Sequence, residues 1–229
     1  MALSQIKLYW RNQVPNPSKV LIVLEELNLP YESVWVELDG LKQKPFTDVN
    51  PNGPEFQASM IDPNTGLTLW ESGAIVQYLI DTYDKEHKIS YDSSPEKYQL
   101  VQWSYFQASG QGPYFGQSAW FNLFHEKVYG ESPESAKVRY GTELKRVASV
   151  LNAVLSKKEW LVGDKCTYAD LAFVMWNMQI PFFMASRTGE HAWKPEEVPH
   201  FIRWQNAMMA RPSVQKVMGM LNETEVKSL

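Results

Sequence analysis

The sequence predicts a small α/β module followed by an all-helical domain. Three features support this. Over the first 84 residues, short apolar runs rich in β-branched and aromatic residues alternate with helical periodicity; a polar stretch, Lys85 to Pro95, follows; beyond it every apolar pattern has the helical period. The first module is placed at residues 1–86 and the helical domain at 95–229.

Taken in order, Ile6-Lys7-Leu8-Tyr9-Trp10 reads as a strand and a Pro/Asn-rich loop follows it. Lys19 to Leu27 has helical periodicity, with Asn16 suited to cap the helix and Pro17 tolerated in its first turn. Tyr31 to Glu37 is the second strand, completing a βαβ unit, and a weak helical signal lies near residues 43–48. Gln57 to Ile61 and Leu67 to Trp70 form a hairpin across Asp62-Pro63-Asn64-Thr65-Gly66, a turn by composition. Glu71-Ser72 then opens a helix whose apolar face is at positions 75, 76, 79, 80 and 83, so the module runs β-α-β-α-β-β-α. Helices are predicted at about 96–127, 133–157, 168–186 and 199–220, separated by Gly130, Pro133, Gly163, Gly189, Pro195, Pro199 and Pro212.

Composition narrows the function. The 22 Lys+Arg against 26 Asp+Glu give a net charge of −4 with no basic run, which argues against nucleic acid as a partner. Hydrophobic residues at 44% are enough for a sizeable core. The single Cys166 cannot form an internal disulfide, so a reducing compartment, the cytoplasm, is expected. No apolar run approaches the ~18–20 residues that span a bilayer, and no export signal is visible, so no membrane partner is expected. His87, His125, His191 and His200 are scattered without metal-ligand spacing, and no metal is expected. A small molecule is the expected partner.

Glu71-Ser72 stands at a strand-to-helix junction, where free backbone N–H groups and the positive dipole end suit an anion such as a carboxylate. The competing reading is an ordinary helix cap. Trp103, Phe106, Tyr114, Phe115, Trp120, Phe121 and Phe124 crowd one helical region with Gly110, Gly112 and Gly116, which are expected to interrupt the helix. Such stripes are usually core. The spacing of those glycines fails the dinucleotide pattern. Cys166 precedes Thr167-Tyr168-Ala169-Asp170, a capping sequence, and reads as packing.

Five blocks stand out: Pro15-Asn16-Pro17-Ser18-Lys19-Val20 with Leu24-Glu25-Glu26-Leu27; Asn50-Pro51-Asn52-Gly53; Trp70-Glu71-Ser72-Gly73-Ala74-Ile75; Phe106-Gln107-Ala108-Ser109-Gly110-Gln111-Gly112-Pro113; and Trp160 to Lys165 with Ala169-Asp170-Leu171-Ala172-Phe173. Together they resemble the glutathione transferases, specifically the fungal and bacterial subgroup related to the yeast prion nitrogen regulator. The resemblance covers nearly the whole chain and implies a thioredoxin-like first domain, an all-α second domain, a homodimer, glutathione as co-substrate and a small apolar electrophile as second substrate. It implies that Asn16 holds the glutathione sulfur as thiolate, which is needed because a free thiol with pKa near ~8.5 is mostly protonated at neutral pH. Tyr9 and Ser18 are nearby rivals. Glu71 and Ser72 would complement the zwitterionic γ-glutamyl end. Lys42 and Lys44 fall where the family meets the glycyl carboxylate, with solvated lysines the competing reading, and Arg139 resembles an Arg of the helical domain that reaches the site, against a surface ion pair. Tyr114, Phe115, Trp120 and Phe121 would line the second-substrate pocket.

The chain departs from the family after Gly53. There the family normally presents a cis-proline whose preceding residue offers its backbone to the cysteine of glutathione; here the loop is two residues longer and Ala58 stands at the proline position. A non-proline cis bond costs about 2.5–4 kcal/mol, so a trans Ala58 is expected, and two readings stand: Gln57 forms a substitute contact, or the glutathione site is degraded. The expected function is glutathione conjugation. Glutathione-dependent cis–trans isomerisation of a secondary metabolite, disulfide reduction and a non-catalytic regulatory homologue are the alternatives.

Overall fold

The computed structural model describes residues 2–11, 15–37, 39–44, 46–52 and 58–227. Two compact units emerge: Met1–Asp92 together with Ala210–Leu229, and Ser93–Met209. The expectation grouped 95–229 as one domain, and the structure instead returns the terminal helix to the first unit.

The first unit contains a four-stranded mixed sheet of order β2-β1-β3-β4, from β1 (Ile6–Trp10), β2 (Tyr31–Trp35), β3 (Ser59–Asp62) and β4 (Leu67–Trp70). β1 pairs parallel with β2, Leu8 opposite Ser33, and antiparallel with β3, Leu8 opposite Met60. Ile6, Leu8 and Trp10 are buried, as the alternation requires. Helix α1 (Pro15–Glu26) connects the parallel strands and buries Val20 through Leu24 without a break. A short helical turn at Asp39–Lys42 and α2 (Phe46–Val49) lie around the weakly signalled helix. Helix α3 (Ser72–Tyr83) buries Ile75, Val76, Leu79 and Ile80, the predicted face. The hairpin is tied to α3 through the buried Asp62 carboxylate, which accepts from the hydroxyls of Tyr78 at 2.7 Å and Tyr83.

The terminal helix, numbered last in the chain (α11, Pro212–Lys227), packs on α1. Glu25 and Glu26 explain why. Arg211 grips the Glu26 carboxylate with two bonds, Nε to Oε1 at 2.7 Å and an Nη2 bond at 2.8 Å, and Ser213 donates to the same group. Lys216 pairs with Glu25 at 2.8 Å. The bidentate fork on a carboxylate that is only 5% exposed gives a directional anchor that periodicity alone cannot reveal.

In the second unit, α4 (Glu96–Phe106), a π turn Gln107–Gln111, α5 (Gly112–Ala119), a second π turn Trp120–Phe124 and α6 (His125–Tyr129) run on as one helix. The glycines therefore do not interrupt it, contrary to the sequence expectation. The first π turn instead buries two amides: Gln107 bonds Gln111 at 3.0 Å, and Gln111 bonds Asn177 at 2.7 Å. Asn177 continues to Gln205, whose own amide donates to the carbonyl of Val174, so this buried chain of amides is hydrogen-bonded along its length. Then come α7 (Glu134–Leu155), α8 (Tyr168–Asn177), α9 (Ile180–Phe183) and α10 (Pro199–Met209). Helix α8 is the core of this unit, buried along nearly every residue and opened by a complete capping box between Thr167 and Asp170.

Candidate functional site

Helix α1 starts one turn earlier than its apolar run suggests. Pro15, not Pro17, takes the first position, because its fixed φ suits a first turn and its missing N–H is no loss there. Asn16 therefore sits inside the first turn rather than capping it, which corrects the capping expectation. Pro15 and Pro17 lack N–H groups, so within residues 15–18 of α1 backbone N–H groups belong to Asn16 and Ser18 alone. An anion beside Asn16 would meet the positive end of a 12-residue helix.

The β4–α3 junction is built differently. Glu71 precedes the helix at φ 71° and ψ 109°, a backbone state that non-glycine residues rarely occupy and that costs on the order of 1–3 kcal/mol. Its side chain makes no capping bond, so the ordinary-cap reading does not describe this carboxylate. Ser72 is buried as the first residue of α3. Exposed Glu71 thus keeps its charge available at a helix N-terminus.

Lys19 is the residue that sequence reasoning passed over. One turn beyond Asn16, it is 4% exposed, and burial pulls its ammonium pKa from the ordinary 10.5 to about 8, with the nearby charge of Glu71 pulling back upward. Fully buried lysines are rare unless a charge partner holds them. The signal was present in the sequence as a lone cation at the head of an otherwise apolar run.

The remaining candidates fall out unevenly. Lys42 and Lys44 are both exposed, and Lys44 pairs with Asp48 at 3.1 Å, a solvated i,i+4 contact. Ala58 is fully buried just before β3, while Gln57 lies outside the described residues. Tyr9 packs its ring on Phe46 with centroids 6.0 Å apart, which favours the core reading for that rival. In the helical unit, Arg139 forms an ion pair with Glu143 and lies over the ring of Tyr114 at 5.8 Å. Phe115 departs from the expectation of a pocket wall: it is fully buried, edge-on to Trp176, and serves the core. Trp120 is exposed and Phe121 half-buried, both on the second π turn. Cys166 is buried beside the capping box. Among the described residues no group of His, Cys, Asp and Glu could hold a metal, and no helix is long and apolar enough to cross a membrane.

The first unit thus joins a mixed four-stranded sheet to a strained acidic residue at the head of α3, and the second is helical. Residues 15–82 match the glutathione S-transferase N-terminal domain and residues 109–212 the C-terminal domain. The glutathione S-transferase-like protein gedE of Aspergillus terreus is 43% identical over 219 residues, covering 92% of this chain and 93% of that protein. The crystal structure of the glutathione transferase URE2P8 from Phanerochaete chrysosporium with oxidized glutathione superposes with a TM-score of 0.87 at 40% identity, covering 97% of each chain. URE2P5 from the same fungus, cocrystallized with 1-(S-glutathionyl)-2,4-dinitrobenzene, superposes with a TM-score of 0.85 at 37% identity, covering 97% of this chain and 96% of that one. The chain belongs to the glutathione S-transferase family. Within it, the similarity to these proteins and to yeast Ure2p marks the Ure2-like branch.

Proposed function

We propose that the chain is a glutathione transferase that binds reduced glutathione on its first unit and directs the thiolate at an electrophilic carbon. One observation carries this reading: Glu71 is held in a strained backbone state, its carboxylate is not used for capping, and its charge acts on the buried Lys19 one turn from Asn16. Strain and a buried cation both work against stability and gather at one place, as they do at sites built for a ligand. The carboxylate of Glu71 receives the α-amino group of glutathione, and the hydroxyl and N–H of Ser72 receive its α-carboxylate. The buried Lys19 and Glu71 act on each other electrostatically. Lys42 and Lys44 add positive charge toward the glycyl end, and Ala58 takes the cysteine backbone.

The Asn16 amide, with the donors of the first turn of α1, stabilises the sulfur as thiolate. The thiol proton passes to solvent, sulfur donates its electron pair to the electrophilic carbon, and the carbon–leaving-group bond breaks or a proton is taken up at the neighbouring carbon. The relative crystallised with an S-aryl glutathione conjugate supports a thioether product. A second copy of the chain would cover the edge strand β4, where Leu67 and Trp70 are exposed.

Calorimetric titration with reduced glutathione tests the reading, and absence of saturable binding up to low-millimolar concentrations would reject it. Two variants resolve the roles. Asn16→Ala should raise the apparent thiol pKa of bound glutathione, read from thiolate absorbance against pH, and leave affinity largely intact; an unchanged pKa would exclude Asn16 as the sulfur ligand. Glu71→Ala should weaken glutathione binding by more than about 1.5 kcal/mol, since it leaves the ligand's ammonium without a partner. Equal affinity would make Glu71 structural.

A further inference from the structure

The second π turn carries aromatic groups that the core does not absorb. Trp120, Phe124 and Tyr129 are 37%, 49% and 64% exposed, a concentration of exposed rings that soluble domains rarely display without use. They form a connected set rather than isolated side chains. Trp120 stacks on Phe124 at 6.3 Å, His125 lies 5.1 Å from Phe121 and 4.9 Å from Tyr129, and Phe121 stacks almost parallel on Tyr140 at 5.4 Å. π turns recur at functional sites because the extra residue re-aims side chains on a helix. Here the turn Trp120–Phe124 brings Trp120, Phe121, Phe124 and His125 together.

His125 makes this more than an apolar face. Its Nδ1 lies 3.0 Å from the carbonyl oxygen of Glu131. A carbonyl can only accept, so Nδ1 carries the proton and, in the neutral ring, Nε2 is an acceptor. No other described residue bonds to Nε2. A hydrogen-bond acceptor framed by stackable rings complements one chemistry: a flat aromatic ring bearing a hydroxyl donor.

We infer that this cluster is a binding site for a planar hydroxyaryl compound, held by stacking on the exposed rings and by donation of its hydroxyl to His125 Nε2. The cluster lies wholly within the second unit, so the inference does not depend on the transferase reading. A purely apolar electrophile would leave Nε2 unmatched.

Calorimetric titration with 2-naphthol and 2-methoxynaphthalene tests it, because the second keeps the ring system and caps the hydroxyl donor with a methyl group. The wild type should bind 2-naphthol at least about fivefold more tightly, the value of one neutral hydrogen bond. His125→Phe keeps the ring stack and removes the acceptor, so the preference should vanish while the methoxy affinity stays within about twofold and the thermal transition is retained. Equal affinity for both compounds in the wild type, or a preference that survives in His125→Phe, overturns the inference. So does sedimentation showing that Tyr129→Glu turns a dimer into a monomer while naphthol binding is absent, since a second copy then covers this face. Glutathione titrated separately decides the other reading. If it fails to bind while the naphthol preference persists, the transferase reading falls and the hydroxyaryl site stands.

Discussion

A Lys19→Met variant is expected to be more stable than the wild type by about 3 kcal/mol at pH 7 and to bind glutathione less tightly. The magnitude follows from the depression of the Lys19 pKa from 10.5 to about 8, at about 1.4 kcal/mol per unit. The sign is set by which state binds the proton more firmly. Below pH 8 both folded and unfolded chains carry a protonated Lys19, and the folded chain bears the whole penalty of a buried ammonium. Between about 8 and 10.5 the folded state releases its proton first, so wild-type stability rises with pH, and above 10.5 the penalty is gone. The advantage of Lys19→Met should therefore be largest at pH 7 and shrink toward pH 10.5. Urea unfolding of both proteins at pH 7 and pH 10 measures it, and a difference that stays constant with pH would show that the charge is not the cause. A stabilised variant with weakened glutathione affinity would mark Lys19 as a residue kept for the site at the expense of the fold.

Local rules were enough for most of the fold. β1 is legible because its alternation matches one buried face, α3 because positions 75, 76, 79 and 80 make a single stripe, and the Thr167–Asp170 box because capping chemistry has a fixed spacing. What escaped depends on contacts distant in sequence. The periodicity of residues 212–227 says helix, but only the fork of Arg211 on Glu26 says which core it joins. The π turns escaped because Gly110 and Gly112 read locally as breakers, whereas the amide chain through Gln111 and Asn177 makes a continuous helix preferable. At the site, Glu71 and Ser72 were readable as a junction pair, but the positive φ of Glu71 and its electrostatic effect on Lys19 were not, because Lys19 comes from α1, a helix distant in sequence that contacts α3. Phe115 shows the same limit in the other direction, since an aromatic stripe does not say which ring faces inward.

Replacing Asp170 by Ala should destabilise the helical unit by about 3–5 kcal/mol, the range for deleting one partner of a buried, fully bonded charged group. Asp170 is completely buried, and burial pushes its carboxyl above the ordinary carboxylate range against the pull of the donors around it. Those donors come from three places: the Leu161 N–H at 2.8 Å, the Thr167 N–H at 2.9 Å and hydroxyl at 2.7 Å, and the Trp204 indole at 2.9 Å. One carboxylate thus closes the N-terminus of α8, fixes the Leu161 segment and orients the Trp204 ring of α10. Alanine would leave all four donors buried and unpaired, beyond the loss of the cap itself, for which about 1 kcal/mol is typical. Thr167→Val, which removes one donor and one cap while keeping Asp170, should therefore fall well short of Asp170→Ala. Urea unfolding of both variants checks the order. If the two lose equal stability, the capping box is all that Asp170 contributes, and the bonds to Leu161 and Trp204 add nothing to the fold.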